Sequence, residues 1–207
     1  MTVTAERTQQ NDRVGLSILA LGIVLGAEAL RLVILSQLRW KLGYPETYAV
    51  QGLLFTIVYL VYAGVLVWRG RTLLRRLTAP LLLLAPWLFD SFWLVVNFLQ
   101  ARGSFDLTYG EWWSWLIRIQ TVITVVCLVT AWGVSRRRGW LWLVGLVVPV
   151  VLTLVWTQWS WRLFQNLIGT EFVFDVVSTV SNVGIPILGI LVCWGVEALS
   201  RSARADG

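Results

Sequence analysis

Apolar residues in this chain gather in six long runs separated by short polar or basic stretches. Each run approaches the roughly 20 residues that a helix needs to cross a hydrocarbon core. Lipid offers no hydrogen-bond partners to the backbone, so runs of this kind must be helical. The pattern predicts helices over about 14–36, 48–68, 79–100, 112–134, 139–158 and 173–198, with Pro86 kinking the third and Pro149 in the middle of the fifth. Between them lie QLRWKLGYPETY, broken by Gly43 and Pro45, then RGRTLLRR, ARGSFDLTYGE, SRRRG and QWSWRLFQNLIGTEF. The last reads as partly interfacial from its aromatic, amphipathic character. The expected fold class is all-α: a polytopic membrane bundle of about six transmembrane helices.

Composition supports that class, with 57% hydrophobic residues, 14% charged and a mean hydropathy of +0.73. A net charge of +6 raises the question of nucleic acid, but the placement of the charge answers it. Eleven of the 17 basic residues fall in Arg7 with Arg13, Arg69 to Arg76, Arg136 to Arg138, and Arg201 with Arg204, at alternate helix ends. That is the positive-inside pattern, which predicts both termini in the cytoplasm, a cell-membrane location and no nucleic-acid partner. Residues 1–13 read as a frayed cytoplasmic tail, 14–199 as one domain of three helical hairpins, and 200–207 as a second tail. A cleavable signal peptide is not expected.

Polar residues inside the runs carry the candidate chemistry. Glu28 and Arg31 lie three apart on the first helix and share a face, so they could neutralise each other. Alternatively, Glu28 is a proton donor in an apolar pocket. On the third helix Trp87, Asp90, Leu94 and Asn97 line one stripe. With Gln51, Arg118, Gln120, Asp175 and Asn182, these groups sit in the middle or outer half of at least five helices, which points to a common cavity opening outward. The competing reading is a polar network that glues the helices together. Most of the 14 tryptophans belong to interfacial belts, whereas Trp87 and Trp93 flank Asp90 near mid-helix, where indole faces could stabilise a cation.

Much chemistry is excluded. There is no histidine, and Cys127 and Cys193 form no CxxC or metal spacing. Walker, GxGxxG and GxSxG motifs and a DDxxD-like cluster are also missing, and the single lysine, Lys41, lies at a membrane edge. No metal and no cofactor is expected. Acid–base chemistry by carboxylic acids remains, or binding without chemistry.

The segment GAEALRLVI, followed by an external loop, an apolar hairpin and a basic turn, resembles the small integral-membrane terpene cyclases of meroterpenoid and indole-diterpenoid biosynthesis. Glu28 matches the family's glutamate, with Ala27 where the family has tryptophan, and Asn182 falls near the position of its second acid. The resemblance implies metal-free, proton-initiated cyclisation of a prenyl chain, in some cases epoxidised, on a lipophilic aromatic or indole substrate. Glu28 would be the general acid, Asp90 with Trp87 and Trp93 would stabilise cations, and Asn182 would orient the acid or final base. Arg31, Asn97, Arg118 and Asp175 complete the candidate substrate-binding set. Two non-enzymatic readings stay open. The chain is similar in length, aromatic content and cavity to the substrate-binding subunit of an energy-coupled vitamin transporter. It also suits a structural subunit of a membrane complex. In either case Gly15, Gly22 and Gly26 of the first helix would help dock a partner subunit or a second copy.

Overall fold

A computed structural model describes residues 2–38, 41–70, 72–103, 111–136, 140–166, 177 and 180–205. All regular elements among these are helical: α1 (Thr2–Leu38), α2 (Tyr44–Arg69), α3 (Leu73–Leu81), α4 (Leu84–Ala101), α5 (Glu111–Arg136), a 3-10 helix (Leu141–Leu146), α6 (Val147–Asn166), a π-helical turn (Val180–Gly184) and α7 (Ile185–Ala205). Among the described residues, six helical segments are long and apolar enough to cross a membrane, so the chain is an all-α, multi-pass bundle. Leu19, Leu53, Leu60 and Leu88 are among the many large apolar side chains exposed on its outside, where a lipid solvent would meet them.

Element boundaries depart from the expected ones where caps and prolines act. The expected N-terminal tail is helical: no glycine or proline lies between Thr2 and Val14, and α1 continues through it. The third span starts at Leu73, earlier than expected, because Thr72 caps it by accepting a 3.3 Å hydrogen bond from the Arg75 amide. A turn at Leu82 and Leu83 then divides the span into α3 and α4. Pro86 sits in the first turn of α4, where its missing N–H costs little, so the break precedes it. The fifth span begins as a 3-10 helix, since Pro149 cannot donate to the Gly145 carbonyl. Its α-helical part runs on to Asn166, through much of the stretch expected to be interfacial. In the sixth, Pro186 leaves the Asn182 carbonyl without its helical donor, and the turn ahead widens to π geometry. Asp175 and much of the expected external loops ARGSFDLTYGE and QWSWRLFQNLIGTEF lie outside the described residues.

Two helices form the hub. α2 packs against α1, α3, α4 and α5, and α5 also packs against α3, α4, α6 and α7. Their facing side chains, Tyr62, Val65 and Leu66 with Val125, Val129 and Trp132, build the dry core together with Trp142, Ile190 and Cys193. This core fills the half of the bundle nearer Arg69 and Arg136. Close approach is possible there because small residues allow it. At Gly145 an added Cβ would meet the Cys193 Cα at 2.9 Å, so the 3-10 helix lies directly on α7. Arg136 Nη2 donates to Ser17 Oγ at 2.6 Å and ties α5 to α1 at the same end. Above the core, toward mid-span, the packing loosens and polar side chains enter.

Candidate functional site

The loosened region is a cavity of about 90 Å³ walled by α1, α2, α4, α5, the π turn and α7. Its wall is mostly aliphatic, from residues such as Val24, Val58, Leu128 and Ile187. Its polar groups are few: Glu28, Tyr59, Tyr62, Asp90, Thr124 and Asn182. By register, Glu28, Tyr59, Asp90 and Thr124 each lie near the middle of their spans, at the depth where a charged group is most costly.

Each carboxylate is held differently. Glu28, 7% exposed, accepts from Arg31, 3% exposed, on both oxygens: Nε donates to Oε2 at 2.8 Å and Nη2 to Oε1. The guanidinium also lies 4.3 Å from the centre of the Phe55 ring. Glu28 and Arg31 therefore form a neutral unit buried in one helix, which is the first of the two readings their spacing allows.

Asp90 has neutral partners instead. Tyr59 Oη donates to Oδ2 at 2.7 Å, and Gln120 Nε2 donates to Oδ1 at 2.8 Å. This joins α4 to α2 and α5 at the cavity wall. The expected stripe on α4 is directed at α2. Trp87 Nε1 donates to Thr56 Oγ1 at 3.1 Å, Asp90 accepts from Tyr59, and Leu94 packs against Gly52. Tyr62 Oη donates to the Leu128 carbonyl at 2.9 Å, which orients its ring along the wall. Asn182 reaches the cavity from the π turn, and the neighbouring Ser181 accepts from Trp156 Nε1 at 3.0 Å, pinning that turn to α6.

The cavity brings together Glu28, Asp90 and Asn182, with Arg31 paired to Glu28. Trp87, Trp93 and Asn97 are not in its wall. Trp87 is engaged with Thr56, and Trp93 stacks edge-on against the exposed Phe92, 5.1 Å between centroids. Arg118 lies elsewhere, on the α5–α6 surface. The aromatic faces at the cavity belong to Phe55, Tyr59 and Tyr62, residues that sequence reasoning passed over. A signal for the tyrosines existed: interfacial belts hold tyrosine near span ends, whereas Tyr59 and Tyr62 stand three apart and well inside theirs. Among the described residues, no three His, Cys, Asp or Glu side chains come together as a metal site requires.

No protein-family model, curated protein or solved structure matches the chain.

Proposed function

We propose that the chain is a membrane-embedded terpene cyclase that isomerises a prenyl chain by proton transfer, with Asp90 as the acid. The observation that carries this reading is the contrast between the two carboxylates of one apolar cavity: Glu28 is engaged by a cation, whereas Asp90 is held by neutral donors. Pairs of carboxyl groups in contrasting surroundings are how proteins divide acid and base roles.

In this mechanism the reacting end of a lipophilic substrate enters the cavity from the bilayer. The Asp90 carboxyl gives its proton to an epoxide oxygen or to an alkene carbon. A neighbouring alkene attacks the resulting electron-poor carbon, which forms a C–C bond and moves the positive charge along the chain. The rings of Tyr59 and Tyr62 stabilise that charge, and the aliphatic wall keeps out water that would quench it. Loss of a proton from the last cation back to Asp90 closes the cycle, so no oxidant, reductant or metal is consumed. Asn182 orients the substrate from the π turn. The chain would act in the cell membrane with both termini in the cytoplasm, as the basic segments indicate.

The test is turnover of epoxidised prenyl-indole and prenyl-aromatic substrates by membranes carrying wild type, Asp90→Asn or Glu28→Gln. Loss of a general acid costs about 10²- to 10⁴-fold, so Asp90→Asn should be nearly silent, while Glu28→Gln keeps measurable turnover if the protein assembles. Equal rates from wild type and Asp90→Asn would remove the acid role. Saturable binding without turnover by a well-folded wild type would make the cavity a substrate-binding module.

A further inference from the structure

Arg118 has no place in the central cavity, and its surroundings suggest another role. α5 and α6 run side by side and leave a groove of about 740 Å³ on the outside of the bundle. None of its lining residues also lines the central cavity. Trp115, Arg118, Gln158 and Trp159 stand at one end of the groove, and Val122, Ile123, Leu154 and Val155 line the rest.

The register gives these two parts different depths. α5 opens at Glu111 and α6 closes at Asn166, so Arg118 and Gln158 lie in the outer halves of their helices, about 10 to 12 Å from those ends. Val122 and Ile123 lie about 6 to 8 Å deeper than Arg118, and Leu154 and Val155 about 5 to 6 Å deeper than Gln158. A cation, an amide and two indoles therefore stand nearer the outer helix ends, above a deeper apolar channel, and the long Arg118 side chain can reach from there toward the headgroups. The channel faces outward: Trp115, Leu154, Val155 and Trp159 are all exposed. Arg118 packs its guanidinium 5.0 Å from the Trp115 ring centre and makes no ion pair among the described residues. A cation on the lipid-facing surface with no acid beside it among the described residues favours an anion from outside. The apolar channel below specifies what that anion is attached to.

We propose that the groove seats one anionic phospholipid, with its phosphate on Arg118 and Gln158 and an acyl chain along Val122, Ile123, Leu154 and Val155. Net negative charge distinguishes the preferred occupant, since a zwitterionic headgroup brings its own cation to the same place.

Native mass spectrometry of the purified full-length chain tests this, with phosphatidylglycerol and phosphatidylcholine of identical acyl chains in competition. Wild type should retain phosphatidylglycerol over phosphatidylcholine by about fivefold, the scale of one basic residue beside an anionic lipid. Arg118→Gln should bring the two lipids to parity, and Arg118→Lys should keep most of the preference. Val155→Trp, at an exposed position, fills the channel and should lower retention of both lipids without disturbing the core. Equal retention of the two lipids by wild type would overturn the proposal, as would an undiminished preference in Arg118→Gln or unchanged retention in Val155→Trp. Displacement of the lipid by millimolar glycerol phosphate would also overturn it, because the headgroup alone would then suffice.

Discussion

Glu28 and Asp90 share a cavity wall, yet their substitutions should differ sharply in cost. Removing the carboxylate charge with Glu28→Gln strands the buried Arg31 guanidinium, and an unpaired buried charge costs about 3 to 5 kcal/mol. Replacing both partners, as Glu28→Gln with Arg31→Met, removes the stranded charge and should recover most of that loss. Unfolding in graded detergent denaturant would read the two variants, and a double variant no more stable than Glu28→Gln alone would show that the pair is not one neutral unit. Asp90 is milder. Tyr59→Phe and Asp90→Asn each weaken a hydrogen bond between helices, worth about 0.6 kcal/mol on average and 1.7 at most inside a membrane. In a double-variant cycle the two should couple, since they disturb one contact, and strict additivity would deny that the contact matters. Spacing made the Glu28–Arg31 pair legible, because three residues along a helix fix two side chains on one face. The partners of Asp90 were not legible. Nothing along the chain links position 90 to 59 and 120, and only the packing of α4 against α2 and α5 brings them within reach.

At the scale of elements, the six apolar runs were readable because lipid demands long helices, whereas their interruptions depended on single residues. Pro86 and Pro149 lie inside their spans as expected, each in the first turn of an α-helix, one just after a turn and the other just after a 3-10 segment. Hydropathy cannot tell a proline that bends a helix from one that begins it, because that depends on where the preceding carbonyls find partners. Pro186 offers the most useful test, since the π turn ahead of it carries Asn182 to the cavity. Pro186→Ala restores an N–H and lets the Asn182 carbonyl be satisfied in α geometry. The turn should tighten and swing Asn182 away, lowering affinity for a cavity ligand or turnover about tenfold while stability holds or rises. Unchanged affinity together with unchanged stability would mean that the π turn does not depend on this proline. Gly145 bears on packing alone. Gly145→Val would drive a side chain into the α7 backbone at Cys193, and overpacking of this sort costs about 1 to 3 kcal/mol. A lower melting temperature in detergent is expected, and a variant as stable as wild type would mean that the 3-10 helix can ride away from α7 without penalty.

At the scale of the whole molecule, six full crossings would leave both ends of the chain on the same side of a bilayer, and the charge pattern predicts which side. The sequence from the end of α2 into the start of α3 carries Arg69, Arg71, Arg75 and Arg76, and the sequence at the end of α5 carries Arg136, Arg137 and Arg138. The ends of α2 and α5 lie at the end of the bundle that carries the dry core. The turn after α4 lies at the opposite end, nearer the mouth of the lipid groove. Basic loops stay in the cytoplasm, so Thr72 should face inward and Arg102 outward. Both side chains are exposed, which makes them good labelling positions. In a background of Cys127→Ala and Cys193→Ala, a membrane-impermeant maleimide applied to intact cells should modify Arg102→Cys and leave Thr72→Cys untouched until the membrane is opened. The reverse pattern would invert the protein and place the lipid groove in the cytoplasmic leaflet. Labelling of both positions from outside would mean that α3 and α4 return to the side they left, and a bundle with Asp90 at mid-depth would no longer follow. The outcome therefore bears on the cavity as well as on orientation, because only a full crossing by α3 and α4 puts both carboxylates at the same depth in lipid.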